Sequence, residues 1–170
     1  IKNLSFWNIF KDKVVGAKIL KAERHGKNIF IRLGNGYTIL IHMKMTGHLL
    51  FGKYRVGRQE DGEAHHSWSW WPEKQASLQD PYNRFIHFMI TFTNGKHLAF
   101  CDSRKFGKVT LIKTIDAAAK HIRDLGIDAL DPTITFEIFK ERLLKKPNGR
   151  IKNVLMDQTL ITGIGNIYSD

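Results

Sequence analysis

The stretch whose reading decides the fold is Ile151–Asp170, IKNVLMDQTLITGIGNIYSD. Ile151, Val154 and Leu155 recur at helical spacing, and that pattern ends near Asp157. Thr162-Gly163-Ile164-Gly165 then reads as a glycine-bearing turn, and Asn166 stands where a second helix would start. Asn is a preferred N-cap, so the backbone N–H groups behind it are predicted to form an anion site, with Lys152 at the other end of the unit. Two helices joined by a glycine turn, offering a cation and a cap to one ligand, suggest a clamp for a phosphate backbone. The Gly163-x-Gly165 pair is not a dinucleotide fingerprint, because it follows a helix rather than a strand.

Working outward, the rest of the second half is helical in pattern. Asp116–Leu125 is predicted to be a helix closed by Gly126, and Leu130-Asp131-Pro132 is a connector. Thr135 is predicted to cap a helix with Glu137 in its first turn and Phe136, Phe139, Leu143 and Leu144 on one face. The first half reads as strands: Lys18–Ala22, Ile29–Leu33, Tyr37–Met43, Phe85–Phe92, His97–Phe100 and Lys108–Lys113. Gly34-Asn35-Gly36 and Asn94-Gly95 supply hairpin turns between them. The expected fold is therefore α+β. An antiparallel β-sandwich over residues 1–115, interrupted by an insertion at 54–83, precedes a helical domain over 116–170. The insertion holds Trp68, Trp70 and Trp71, which read either as a strand packed on the sheet or as ligand contacts. His65 and His66 are adjacent but lack partners at metal-ligand spacing.

Composition narrows the function. Among 170 residues, 27 Lys and Arg face 16 Asp and Glu, a net charge of +11, which favours a polyanionic partner, nucleic acid before membrane. No apolar run is long enough for a membrane span and no signal peptide is visible, so a soluble, cytoplasmic protein is expected. The single cysteine, Cys101, excludes an internal disulfide and a four-cysteine zinc site, and its apolar surroundings suggest a buried, inert thiol. The chain opens on Ile1 rather than Met and is expected to be a piece of a longer protein.

Four constellations could carry chemistry. Arg24-His25-Gly26-Lys27 is a basic turn in which Lys27 either approaches a phosphate or is a solvated strand-end lysine. His42-Met43-Lys44-Met45-Thr46-Gly47 ends a strand, and Met45 is either a core residue or an apolar side chain suited to a base stack. Asp102-Ser103-Arg104-Lys105-Phe106-Gly107 sets a cation beside an aromatic, equipment for the gap left by a departing nucleotide. Alternatively Phe106 folds back onto the core, and Asp102 holds Arg104 by a bidentate pair. The terminal clamp, with Lys152 and Asn166, is the fourth.

Taken together, HGKNIFIRL (25–33), ILIHMKMTGHL (39–49), the histidine His87 before a β run, FCDSRKFG (100–107), LGIDAL (125–130) and the terminal motif resemble the formamidopyrimidine-DNA glycosylase / endonuclease VIII family of base-excision repair enzymes. The resemblance implies a β-sandwich followed by a helix–two-turns–helix. It also implies excision of oxidised purines such as 8-oxoguanine and formamidopyrimidines, with AP-lyase β,δ-elimination. By position, Lys27 resembles the family's active-site lysine that contacts phosphates. Met45, Arg104 and Phe106 resemble the trio that fills the space of the flipped nucleotide. His87, Lys152 and Asn166 resemble backbone-phosphate ligands. The implied partner is double-stranded DNA containing an oxidised base or an abasic site, bound by a monomer associated with the nucleoid. The family's nucleophile, an N-terminal proline followed by glutamate, is not in this sequence, and neither its opening helix nor its zinc finger is expected here. The resemblance thus implies no metal in this chain and a glycosylase whose activity needs the full-length protein. The alternative is a catalytically inactive damaged-DNA-binding remnant. A helix–two-turns–helix module of a topoisomerase or ribosomal protein would not account for Lys27, Met45, Arg104 and Phe106.

Overall fold

Phe6, Trp7, Phe10 and Val14 recur at helical spacing, and helix α1 spans Leu4–Val14 with Phe10 buried and the Trp7 and Phe10 rings stacked. This corrects the expectation that the chain lacks an opening helix. The computed structural model describes residues 4–58, 68–72, 81–116 and 122–170. Strands β1 (Ile19–His25), β2 (Asn28–Leu33), β3 (Tyr37–His42), β4 (Gly47–Gly52), β5 (Tyr54–Arg58) and β6 (Trp68–Pro72) follow. After a 3-10 turn at Pro81–Phe85 come β7 (Ile86–Thr91), β8 (His97–Asp102), β9 (Lys108–Lys113) and the short helix α2 (Thr114–Asp116). The remainder is β10 (Ile127–Asp128), α3 (Phe136–Leu144), α4 (Ile151–Leu155), β11 (Ile161–Thr162) and α5 (Asn166–Ser169).

The chain divides into two compact units, Ile1–His42 with Val109–Asp170, and Met43–Lys108. Sheet β1-β2-β3-β9 therefore groups with the helical segment, a division that follows chain contacts rather than sequence order. In this first unit β1, β2 and β3 pair as antiparallel neighbours, and Gly36 at φ 81° makes the predicted turn between β2 and β3. Thr38, Ile39, Leu40 and Ile41 are buried in succession, so β3 reads as a continuous apolar run and not as an alternating one. The helical segment has its own core of Val154, Leu160 and Ile161, with Phe139 and Leu143 of α3 packed on it. Thr135 caps α3 as predicted, accepting the Ile138 N–H at 3.3 Å. The predicted apolar face is narrower than expected, because Phe136 and Leu144 are exposed. Half of the helix predicted over Asp116–Leu125, residues 117–121, lies outside the described residues, and its end at Arg123–Leu125 is a turn.

The second unit holds the antiparallel sheet β4-β8-β7 and the hairpin β5-β6. Cys101 is buried with Ala99 and Tyr54, as its apolar run implied, and Gly95 at φ 74° turns the predicted β7–β8 hairpin. Trp68, Trp70 and Trp71 lie on a strand paired with Tyr54–Arg58 in a two-stranded sheet of its own. His65 and His66 lie outside the described residues. Among the described residues no helix is long and apolar enough to cross a membrane.

Candidate nucleic-acid interface

In the first unit, Lys27 sits on the two-residue loop between β1 and β2, whose register pairs His25 with Asn28. Gly26 opens that loop at φ 57°, a conformation that favours glycine. Space requires it too: a Cβ there would lie 2.1 Å from Thr162 Oγ1. The loop rests on the parallel pair β10–β11, which sets Asp128 beside Thr162. Asp128 is buried and receives Arg24 bidentately, Nη1 at 2.9 Å and Nη2 at 2.8 Å. It also accepts the Gly26 N–H at 2.5 Å and the Leu130 N–H at 2.9 Å. Burial pushes its carboxyl up, but the Arg24 hydrogen bonds and the two backbone donors outweigh that and hold it at about 2. Arg24 is thus a structural cation, and Lys27, half-buried, is the lysine of the turn.

The Lys27 side chain runs to Gly165, where an added Cβ would meet its Nζ at 3.3 Å. Gly165, not Asn166, is the N-cap of α5, and Asn166 is the first residue of that helix, exposed, with no side-chain cap. This corrects the cap reading: the chain is extended at Gly165, so the residue in the cap position has no side chain to fold onto the helix end. The turn before it is held by Gln158, whose Oε1 accepts the Gly163 N–H at 3.1 Å and whose Nε2 donates to Ile164 O at 2.9 Å. Lys152 on α4 pairs with Asp170 at the far end of α5. Lys27 and the start of α5 are therefore brought together, while Lys152 lies at its other end.

In the second unit, Met45 stands on the turn between β3 and β4, and Arg104 and Phe106 on the loop between β8 and β9. The three meet. The Arg104 guanidinium lies 4.8 Å from the Phe106 ring centroid, and its Nη1 lies 3.6 Å from Met45 Sδ. Met45 is 75% exposed and Phe106 52% exposed, so neither is a core residue. Asp102 does not form the predicted side-chain pair with Arg104. Its carboxylate accepts backbone N–H groups of the loop instead, which releases the guanidinium to lie over Phe106. His87 on β7 is exposed, with Nε2 2.9 Å from the Asp102 carbonyl oxygen.

Sequence reasoning passed over Asp128, Thr162 and Gln158 as determinants of the site. The usable signal was LGIDAL itself: an aspartate inside an apolar stretch needs buried donors, and a basic turn elsewhere supplies them.

Residues 2–109 match the formamidopyrimidine-DNA glycosylase N-terminal domain, and residues 125–170 match the formamidopyrimidine-DNA glycosylase H2TH domain. The chain belongs to the formamidopyrimidine-DNA glycosylase family. It is 36% identical over 163 residues to the enzyme of that name from Pelotomaculum thermopropionicum, covering 95% of this chain and 50% of the relative. The Bacillus cereus formamidopyrimidine-DNA glycosylase is 34% identical over 163 residues with the same coverage. The chain thus spans about half the length of the curated relatives it matches. Its fold is that of Lactococcus lactis Fpg, solved as a complex with DNA containing an abasic site, at a TM-score of 0.71 and 24% identity over 98% of this chain and 52% of that one.

Proposed function

We propose that this chain supplies the DNA grip and the base-replacing wedge of a base-excision repair glycosylase. The full-length protein would remove 8-oxoguanine and formamidopyrimidines from duplex DNA inside the cell, at the nucleoid, and then cut the abasic site by β,δ-elimination. The observation that carries the reading is the cluster of Met45, Arg104 and Phe106. Two large apolar side chains stand in solvent against a guanidinium, an arrangement that burial does not explain and that insertion into a base stack does. Arg104 then faces the base left unpaired. Lys27, His87, Lys152 and Asn166 neutralise or hydrogen-bond phosphates and so fix register without reading sequence. Support comes from the family match, the net charge of +11 and the DNA-bound state of the matched Lactococcus lactis structure.

The family's nucleophile is an N-terminal proline amine, a group whose low pKa leaves it partly unprotonated near neutrality. We assign that amine, the following glutamate and the structural zinc finger to segments outside this sequence. Cys101, buried and the chain's only cysteine, fits no thiolate set for the metal.

Two measurements test the reading. Met45→Ala should reduce processing of lesion-containing duplex by a full-length form more than it reduces binding to undamaged duplex, and equal losses would return Met45 to a packing role. Borohydride should trap no adduct between this 170-residue chain and abasic DNA, whereas a form opening on Pro-Glu should be trapped. An adduct with the chain alone would implicate Lys27, and no adduct with the longer form would favour the inactive damaged-DNA-binding remnant.

A further inference from the structure

Asp102 closes strand β8 and is 1% exposed. Its carboxylate accepts the Thr46 hydroxyl at 2.5 Å, the Arg104 N–H at 3.2 Å and the Gly107 N–H at 2.7 Å. Its carbonyl oxygen accepts the Lys105 N–H at 3.3 Å. One buried residue therefore binds two separate turns: that of Met45, through the adjoining Thr46, and that of Arg104 and Phe106. Among the described residues, the non-glycine positions at positive φ are Lys44 at 57° and Lys105 at 58°, one in each of these turns. Lysine does not favour that conformation, so each turn is held there by its surroundings. Gly47 and Gly107 show how tightly: a Cβ at Gly47 would lie 2.4 Å from Met43 O, and one at Gly107 2.3 Å from Phe100 Cζ.

A wedge entering a base stack gains from being a single body. Two turns moving independently would each have to be ordered at the moment of insertion, and that ordering would subtract from the binding free energy. We propose that Asp102, acting through Thr46, is a positioning residue that locks Met45 to Arg104 and Phe106 so that the three enter DNA together. The inference rests on the wedge reading above and adds the element that makes it rigid. Asp102 touches no DNA in this scheme. It works by fixing the two turns before DNA arrives.

The experiment uses duplex DNA with 2-aminopurine beside a stable abasic analogue, where fluorescence reports unstacking, and anisotropy on the undamaged duplex for comparison. Thr46→Val removes one hydroxyl at a half-buried position while keeping the shape. It should lower the unstacking equilibrium at least about fivefold, the scale of one hydrogen bond. Affinity for undamaged duplex, which depends on phosphate contacts, should stay within about twofold. Thr46→Ser, which keeps the hydroxyl, should restore unstacking, as a generic packing role would not. The losses from Met45→Ala and Phe106→Ala should be coupled in the wild type and become additive beside Thr46→Val. Asp102→Asn should reproduce the unstacking loss, but Thr46→Val decides the case because it leaves no buried carboxylate position altered. Unchanged unstacking with Thr46→Val, or no recovery with Thr46→Ser, would overturn the assignment to Asp102. Should Met45→Ala and Phe106→Ala also leave the signal unchanged, the wedge reading itself falls and the proposal with it.

Discussion

Replacing Asp128 by Asn removes one charge from the site that holds the Lys27 loop and leaves its shape. Arg24 would lose its carboxylate partner, and because the Gly26 and Leu130 N–H groups donate to different oxygens, only one of them could keep an acceptor in the amide. The size of the effect follows from the carboxyl itself. Burial raises its pKa, yet Arg24 and the backbone donors bring it to about 2 from an ordinary 3.8. A carboxyl so displaced contributes about 2 kcal/mol to stability when ionised. Arg24, 42% exposed in its side chain, can return to water, so its release adds little to that figure. The sign is fixed by linkage. A depressed folded-state pKa stabilises fully above the unfolded value, near pH 4, and the contribution is lost as pH falls through about 2. Urea titrations of wild type and Asp128→Asn should therefore differ by about 2 kcal/mol at pH 7, with the gap shrinking to about half near pH 3. A gap that stays constant from pH 7 down to that point would refute an ionic origin, and no gap at pH 7 would refute the whole account of how the loop is held.

Two further variants probe the same unit. Gly26→Ala asks for a side chain at φ 57° and 2.1 Å from Thr162 Oγ1, and should cost about 2 kcal/mol or more. Calorimetry would read that as a fall in Tm of about 4–8 °C, and an unchanged Tm would mean that the loop does not rest on β11. Lys152→Ala should weaken DNA binding equally for all sequences and flatten the salt dependence by about one counterion. A loss that varies with base sequence would argue against a phosphate contact.

The strands were legible where turn chemistry announced them. Gly34-Asn35-Gly36 and Asn94-Gly95 can hardly do anything but reverse the chain, and the registers of β2–β3 and β7–β8 follow from them. Thr135 announced α3 in the same way, since a threonine before an apolar periodic run has one favourable use. Helix α1 was not expected because the resemblance placed the family's opening helix outside this sequence, although Phe6, Trp7, Phe10 and Val14 stand at helical spacing. Strand β4, GHLLFG, lacks period-2 alternation, and its first four residues are all half-buried, so the pattern gave no cue. The exposure of Phe136 and Leu144 could not be read either, because a helical stripe fixes which residues share a face but not how wide a face the neighbours cover.

The interface was legible as residue types and not as geometry, and the reason lies in two aspartates. Lys27, Met45 and Phe106 each admit a plain reading alone, and with Arg104 they stand out only through the family resemblance of the motifs that carry them. What places them is less conspicuous. In each unit a buried carboxylate accepts backbone N–H groups at the loop that carries the candidate side chains: Asp128 takes that of Gly26, beside Lys27, and Asp102 those of Arg104 and Gly107. An ionised group is costly to bury, and only several well-aimed donors offset that cost. For the same reason the carboxylate specifies its loop closely, because any other loop conformation would leave the charge unsatisfied. A single sequence shows the aspartate and the near donors that follow it, but not the ones that tie it to a second segment, Gly26 for Asp128 and Thr46 for Asp102. The charge that looks most dispensable in each motif is thus the one whose removal should loosen it, and the two can be told apart by salt. Burial opposes ionisation at both sites, but at Asp128 an arginine helps to overcome it, while at Asp102 a hydroxyl and backbone N–H groups do so without an ion pair. Salt should therefore erode the contribution of Asp128, whose partner is half-exposed, and leave that of Asp102 nearly intact. Denaturation of Asp128→Asn and Asp102→Asn across a salt series would show whether the loops are held by these different means.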